Sequence, residues 1–160
     1  MSQVVITGGS RGIGAAAVRR FSALGHRVFF FYRNHTQEAQ RICQETGAIA
    51  FQVDVTDTTA VQNAFSQIGS VDILILNAGQ AHYGLISQIS EEQWLHLFDV
   101  NVHGMYRCIQ AALPSMLAVH NGCILTVSSM WGQVGASCEV AYSATKGAVI
   151  AMTKGLAKEL

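Results

Sequence analysis

Charge is scarce in this sequence: of 160 residues only 12% are Asp, Glu, Lys or Arg, ten basic against ten acidic, for a formal net charge of zero. Without an excess of either sign the chain has no electrostatic means of gripping nucleic acid or an anionic membrane, and neither is expected as a partner. Proline occurs once, at Pro114, and no linker, repeat or low-complexity segment interrupts the chain. The four cysteines, Cys43, Cys108, Cys123 and Cys138, lie far apart and form no C-x-x-C pair. With no secretory leader ahead of the first apolar run at Val4, a reduced, cytoplasmic setting is expected. No apolar run approaches the ~20 residues that span a bilayer, and the histidines suggest no metal site. Apolar side chains, in contrast, make up 50% of the sequence, enough for one domain over residues 1–160 with a substantial core.

The order of elements follows from hydrophobic patterning. "QVVIT" (3–7) is a β-branched run that breaks into glycines, after which Ile13, Ala17, Phe21 and Leu24 recur at helical spacing up to Gly25. "RVFFFY" (27–32) reads as a second buried strand, a helix over about 36–45 ends at Gly47, and "AIAFQVDV" (48–55) is a third strand. Asp57 caps a helix carrying Val61, Phe65 and Ile68, and "VDILIL" (71–76) is a fourth strand too apolar to have a wet face. Ser90 and Gln93 form a capping box for a long helical segment to about Val119, with a kink or break expected at Pro114. "CILTVSS" (123–129) is a fifth strand, and residues 142–160 form a last helix with Ala148, Met152, Leu156 and Leu160 along one stripe. Strands alternating with helices at this interval demand a doubly wound parallel sheet, three layers of α/β/α, with right-handed crossovers. In such sheets the ligand crevice lies beyond the carboxyl ends of the strands.

After the first strand stands "TGGSRGIG", with Gly8, Gly12 and Gly14 in a T-G-x-x-x-G-x-G arrangement. It meets the demands of a pyrophosphate site: a tight turn, close backbone approach and a helix amino end. At the end of the second strand, where an acid usually holds the adenosine ribose, stand Tyr32 and Arg33. With no carboxylate there, and with Arg11 and Arg33 available for a 2′-phosphate, NADP(H) is expected rather than NAD(H). A solvated turn is the alternative for Arg33. Residues 1–41 hold six arginines against Glu38 alone, although Arg19, Arg20 and Arg41 suit a solvated helix face equally well.

"TGGSRGIG", "DV" (54–55), "LNAG" (76–79), "VNVHG" (100–104), "VSS" (127–129) and "YSATK" (142–146) together resemble the short-chain dehydrogenase/reductase family, in order and over nearly the whole chain. The 3-oxoacyl-[acyl-carrier-protein] reductase branch is the nearest large group, and "SSMWGQVGASCEVAYS" also resembles reductases acting on a 5-aminopentanone modification of elongation factor P. The resemblance implies a Rossmann-like fold. It further implies Tyr142 as proton donor, Lys146 as its electrostatic partner and ribose ligand, Ser129 as carbonyl orienter and Asn101 as anchor of a water relay. Gly8, Ser10, Arg11, Gly12, Ile13 and Gly14 would line the cofactor's phosphates, and Asp54 would accept from the adenine amino group. Val55 would supply a backbone contact, and Asn77, Ala78 and Gly79 would lie beside the cofactor.

The chemistry needs these types. Reducing a ketone takes hydride from a nicotinamide and a proton for the developing alkoxide. One helical turn separates Tyr142 from Lys146, and an ammonium ~5 Å from a phenolic oxygen at an effective dielectric of ~20 favours the ionised phenol by about 3 kcal/mol. Ser129 has no histidine with an acidic orienter, so it is expected to donate a hydrogen bond and not to act as a nucleophile. The substrate is a small-molecule or carrier-bound ketone, whose pocket Gln80 to Leu85 and Met130 to Glu139 would flank. A rival is a nucleotide-binding protein that kept the fold without turnover.

The family pattern continues past the Tyr-Lys helix with two more strands and a substrate segment, whereas this sequence stops at "LAKEL". An incomplete domain is therefore expected, truncated after the fifth strand and the Tyr-Lys helix, with that strand an exposed edge. The family also implies a homodimer or homotetramer, for which Trp94, Phe98, Met105 and Ile109 are candidate contacts, burial against the sheet being the other explanation.

Overall fold

The computed structural model describes residues 1–160. The strands are β1 (Gln3–Thr7), β2 (Arg27–Tyr32), β3 (Ile49–Gln52), β4 (Ile73–Leu76) and β5 (Cys123–Thr126). The helices are α1 (Gly12–Ala23), α2 (Thr36–Thr46), α3 (Thr58–Ile68), α4 (Glu91–Phe98), α5 (Gly104–Ala118), α6 (Trp131–Val134) and α7 (Val140–Glu159), with a π-helical turn over Asp99–His103 joining α4 to α5.

The strands form one parallel sheet in the order β3-β2-β1-β4-β5, with Val5 of the central β1 opposite Phe29 of β2 and Leu74 of β4. Because strand side chains alternate faces, each buried run divides by parity. Val5, Phe29, Phe31, Leu74 and Leu76 join α3, α5 and α7 on one face, whereas Val4, Ile6, Val28, Phe30 and Ile75 pack against α1 and α2 on the other. Both faces are covered, which is why the strands are almost continuously apolar. This is a Rossmann-like α/β fold. No helix is long and apolar enough to cross a membrane.

Local chemistry sets the ends of the elements. Asp57 Oδ1 accepts from the Ala60 N–H at 2.9 Å and starts α3, and both halves of the Ser90–Gln93 capping box are made at the head of α4. β3 stops short of the expected Val55 because the Asp54 carboxylate captures the Thr56 N–H and hydroxyl, turning the chain out of the sheet. Likewise β5 ends at Thr126, and Val127 adds one last bond to the Leu76 carbonyl before the serines leave the sheet.

Several expectations are corrected. On α1 the expected Ala17 and Phe21 pack against the core, but its most buried residues are Gly14, Ala15 and Val18, while Ile13 and Leu24 are 69% and 54% exposed, because small residues let the helix lie close on the sheet. On α7 the expected Met152 and Leu156 do pack against the core, but the buried residues of its first half are Ala141, Thr145, Lys146 and Val149, and Leu160 is exposed. The long helical segment runs to Ala118, close to the expected Val119, but it is not broken at Pro114, which sits inside α5; its irregularity is the π turn, where the Gly104 N–H reaches back five residues to the Asp99 carbonyl. Met105 and Ile109 are core residues, in line with Cys108, Ala112 and Met116, and are not available for a subunit contact. Trp94 and Phe98 are half-buried and lie against each other at 5.3 Å.

Candidate active site at the strand ends

The turn after β1 is held by neighbours from β4. The buried Thr7 hydroxyl accepts from the Asn77 and Ala78 N–H groups, both at 3.0 Å, and Asn77 Nδ2 donates to the Thr7 and Gly8 carbonyls at 3.1 Å. Gly8 and Gly12 have φ of 69° and 56°, the left-handed region that favours glycine. A Cβ on Gly14 would overlap the Gly8 carbonyl oxygen, so α1 approaches the turn as only glycine allows. No side chain caps the first turn of α1, and its N–H groups are left for an anion.

A cleft of about 460 Å³ opens beside this turn. Gly8, Ser10, Arg11, Gly12, Ile13, Arg33, Asp54, Val55, Asn77, Ala78 and Gly79 all line it; Gly14 does not, lying beneath the turn. Ile13 is exposed because it faces this cleft and not the core. Arg33 reaches across from β2 to within 3.7 Å of Asp54 Oδ2, and its guanidinium donates to the Gln80 amide oxygen at 3.0 and 3.2 Å when that amide is turned to satisfy both groups. Burial pushes the Asp54 carboxyl up, but the Thr56 hydrogen bonds and the Arg33 charge outweigh it and hold the group below its usual value.

Asn101, Ser129, Tyr142 and Lys146 stand outside the residues that line the cleft, and Gly79 is the join. A Cβ built on Gly79 would lie 3.3 Å from Asn101 Oδ1 and 3.6 Å from Lys146 Nζ. Lys146 is only 4% exposed; its ammonium donates to the Val127 carbonyl at 2.8 Å and lies 5.7 Å from the Tyr142 ring centre. Desolvation pushes the Lys146 pKa down from the ordinary lysine value. The Tyr142 hydroxyl has no partner within the chain, and Ser129 Oγ accepts from the Trp131 N–H at 3.2 Å, leaving its own hydrogen free to donate. The Ser129 segment is pressed onto α7: a Cβ on Gly132 would stand 2.6 Å from the Lys146 carbonyl carbon, and Ser128 Oγ donates to the Lys146 carbonyl at 2.9 Å.

Asn101 lies in the π turn and is fully buried. Its Oδ1 accepts from the Gln80 N–H at 2.8 Å, while Nδ2 donates to the Gln80 carbonyl at 2.8 Å and to Thr145 Oγ1 at 3.0 Å. Below it, Arg107 on α5 binds Asp99 at 2.7 Å, Thr58 at 3.1 Å and the Val55 carbonyl at 3.3 Å, bracing the turn against the cleft wall. Sequence reasoning missed Thr7, Arg107 and Thr145, and gave Gln80 and Gly132 only within the segments flanking a substrate pocket. Thr7 and Thr145 stand inside the very strings that flagged the site, "TGG" and "YSATK", whereas Arg107 left no local signal.

Comparison with known proteins agrees with this arrangement. The short chain dehydrogenase family model matches residues 2–160. The chain is 35% identical to the 3-oxoacyl-[acyl-carrier-protein] reductase FabG of Staphylococcus aureus, over 98% of this chain and 67% of that protein. A short-chain dehydrogenase from Streptomyces avermitilis superimposes with a TM-score of 0.94 at 31% identity, covering 99% of this chain and 60% of that one. A metagenomic short-chain oxidoreductase solved in complex with NADP gives 0.94 at 28% identity, over 99% of this chain and 75% of that one. The chain thus spans about two thirds of the length of its curated relatives. On the family match and these identities, it belongs to the short-chain dehydrogenase family of oxidoreductases.

Proposed function

We propose that this chain carries the cofactor-binding and catalytic part of an NADPH-dependent reductase that converts a ketone to a secondary alcohol, with a 3-oxoacyl thioester on a carrier as the substrate class. The observation that carries this is the buried Lys146 ammonium beside the Tyr142 ring at the inner end of a glycine-lined cleft.

The residues present fit a dinucleotide. Uncapped N–H groups at the head of α1 suit a pyrophosphate, and Arg11 and Arg33 at the cleft suit a 2′-phosphate. Asp54 and Val55 would meet the adenine, with Asn77, Ala78 and Gly79 alongside. The NADP complex of a relative supports the same choice. When bound, the nicotinamide supplies hydride. The chain supplies the proton: Tyr142 delivers it to the carbonyl oxygen, toward which Ser129 donates a hydrogen bond. Lys146 spends one donor on Val127, so two remain to hold ribose hydroxyls. Both N–H groups of the Asn101 amide are committed, to Gln80 and Thr145, so its part in a water relay would be that of an acceptor.

The whole protein is proposed to work in the cytoplasm, with its thiols reduced, as a homodimer or homotetramer. Leu95 and Tyr106, exposed on α4 and α5, suit a subunit contact. The test is NADPH oxidation with a panel of simple ketones and β-ketoacyl thioesters, run on this chain and on a C-terminally extended form. Oxidation with the thioesters is expected. NADPH binding without turnover in either form would overturn the reading in favour of a nucleotide-binding protein.

A further inference from the structure

Thr145 lies between the two residues assigned to proton transfer, is fully buried, and joins parts of the site that are far apart in sequence. Its hydroxyl hydrogen is spent on the Tyr142 carbonyl one turn back, at 2.7 Å. The same oxygen can therefore only accept from Asn101 Nδ2, which it does at 3.0 Å across 44 residues. Asn101 is in turn paired in both directions with the Gln80 backbone, and Gln80 follows Gly79, beside which the Lys146 ammonium sits. The hydroxyl is thus the direct hydrogen-bonded link in this site between the tyrosine helix α7 and the π turn.

We propose that Thr145 is a positioning residue for the reduction: it sets the distance from Tyr142 and Lys146 to the cleft by tying the Tyr142 backbone to the Asn101 amide. The inference rests on the reductase reading of Tyr142 and Asn101. Its physical content is that a proton donor must be held to within a fraction of an ångström to act. α7 is otherwise held to β5 and the segment after it, through Lys146 to Val127, Thr153 to Thr126, Ser128 to the Lys146 carbonyl and the close approach of Gly132, and no other hydrogen bond joins it to the π turn. Without the hydroxyl, no hydrogen bond fixes the offset of α7 from the π turn, while the glycine turn and the strand ends that line most of the cleft keep their own bonds.

The experiment compares Thr145→Val and Thr145→Ser with the wild type in the form that turns over, well below each melting temperature and normalised to bound NADPH. Valine keeps the shape and removes the bridge; kcat is expected to fall at least 10-fold, with KM for NADPH within 2-fold and the pH midpoints of kcat unmoved. Serine keeps the hydroxyl and recovers at least half of the lost rate. A purely structural role would lower the melting temperature while leaving kcat per bound cofactor intact, and that result, or a serine variant as impaired as valine, overturns the proposal. Should valine prevent folding, exchange of the Asn101 side-chain amide protons in the wild type decides: protection agrees with the bridge, and exchange at the solvent rate overturns it. A wild type without turnover overturns the reductase reading and this inference together, whereas an active wild type with an unimpaired valine variant overturns this inference alone.

Discussion

At its outer end the cleft is walled by charged side chains that hold one another loosely, Arg33 being 42% exposed and 3.7 Å from Asp54, whereas just past Gly79 at its inner end, behind the lining, Asn101 and Thr145 are fully buried and Lys146 nearly so. The difference follows from what each end must do. Exposed ion pairs contribute only about 0–1 kcal/mol, so Arg33 can exchange Asp54 and Gln80 for a phosphate at little cost. A buried ammonium, by contrast, is disfavoured by desolvation and persists only where packing and hydrogen bonds dictate its place. The outer end selects a ligand by charge; the inner end holds reacting groups still.

The largest effect is expected where that contrast is sharpest. Lys146→Met should lower kcat by about 10²–10⁴-fold, the usual scale of general acid–base contributions, without a matching loss of stability. Desolvation holds the folded-state pKa below the ordinary lysine value of 10.5, so the unfolded chain binds this proton more tightly. The resulting penalty is present in full below the folded-state pKa and relieved as pH rises from there toward 10.5. The Met variant should therefore melt at or above the wild-type temperature at pH 7, with the gap closing toward pH 10. A Met variant that melts lower at pH 7 would break the comparison by making the ammonium a net stabiliser.

Next comes the seam that both ends share. Gly14→Ala would drive a Cβ into the Gly8 carbonyl oxygen and to 2.6 Å from Asn77 Nδ2, and a destabilisation of about 1–3 kcal/mol is expected from such overpacking. Urea unfolding measures it, and an alanine variant as stable as the wild type would mean the turn is not rigid. The smallest effect belongs to the outer end. Arg33→Ala should reduce the preference for NADPH over NADH about 10-fold, corresponding to ~1.4 kcal/mol for one charge-assisted contact, while kcat with saturating cofactor stays within 2-fold. An unchanged preference in steady-state kinetics would make Arg33 a solvated turn residue.

Much of this frame was legible in the residue order, because the apolar strand runs, Gly47 and the Asp57 and Ser90 caps are written in short local patterns. The face of α1 was not. Ile13 and Leu24 met the helical period as Ala17 and Phe21 did, but the helix is seated most deeply by Gly14, Ala15 and Val18, of which the first two carry little hydrophobic signal. The π turn left no trace either, since one extra residue in a turn changes hydrogen-bond partners and not composition. Within the site, the strings that flagged Tyr142, Lys146 and Asn77 were visible, whereas the bonds that fix them, from Thr145 to Asn101 and from Thr7 to Asn77, span 44 and 70 residues and lie beyond any spacing rule.

The central claim is that cofactor capture and proton delivery are separate tasks of one cleft, the second resting on a single phenol. Tyr142→Phe tests it most directly, with NADPH affinity read by fluorescence titration and turnover by NADPH oxidation on the same samples. The account predicts a dissociation constant within about 2-fold of wild type, since phenylalanine keeps the ring and no hydrogen bond within the chain is lost, together with a loss of at least 10²-fold in kcat. A variant that keeps more than a tenth of the wild-type turnover, or one that no longer binds NADPH, would contradict it.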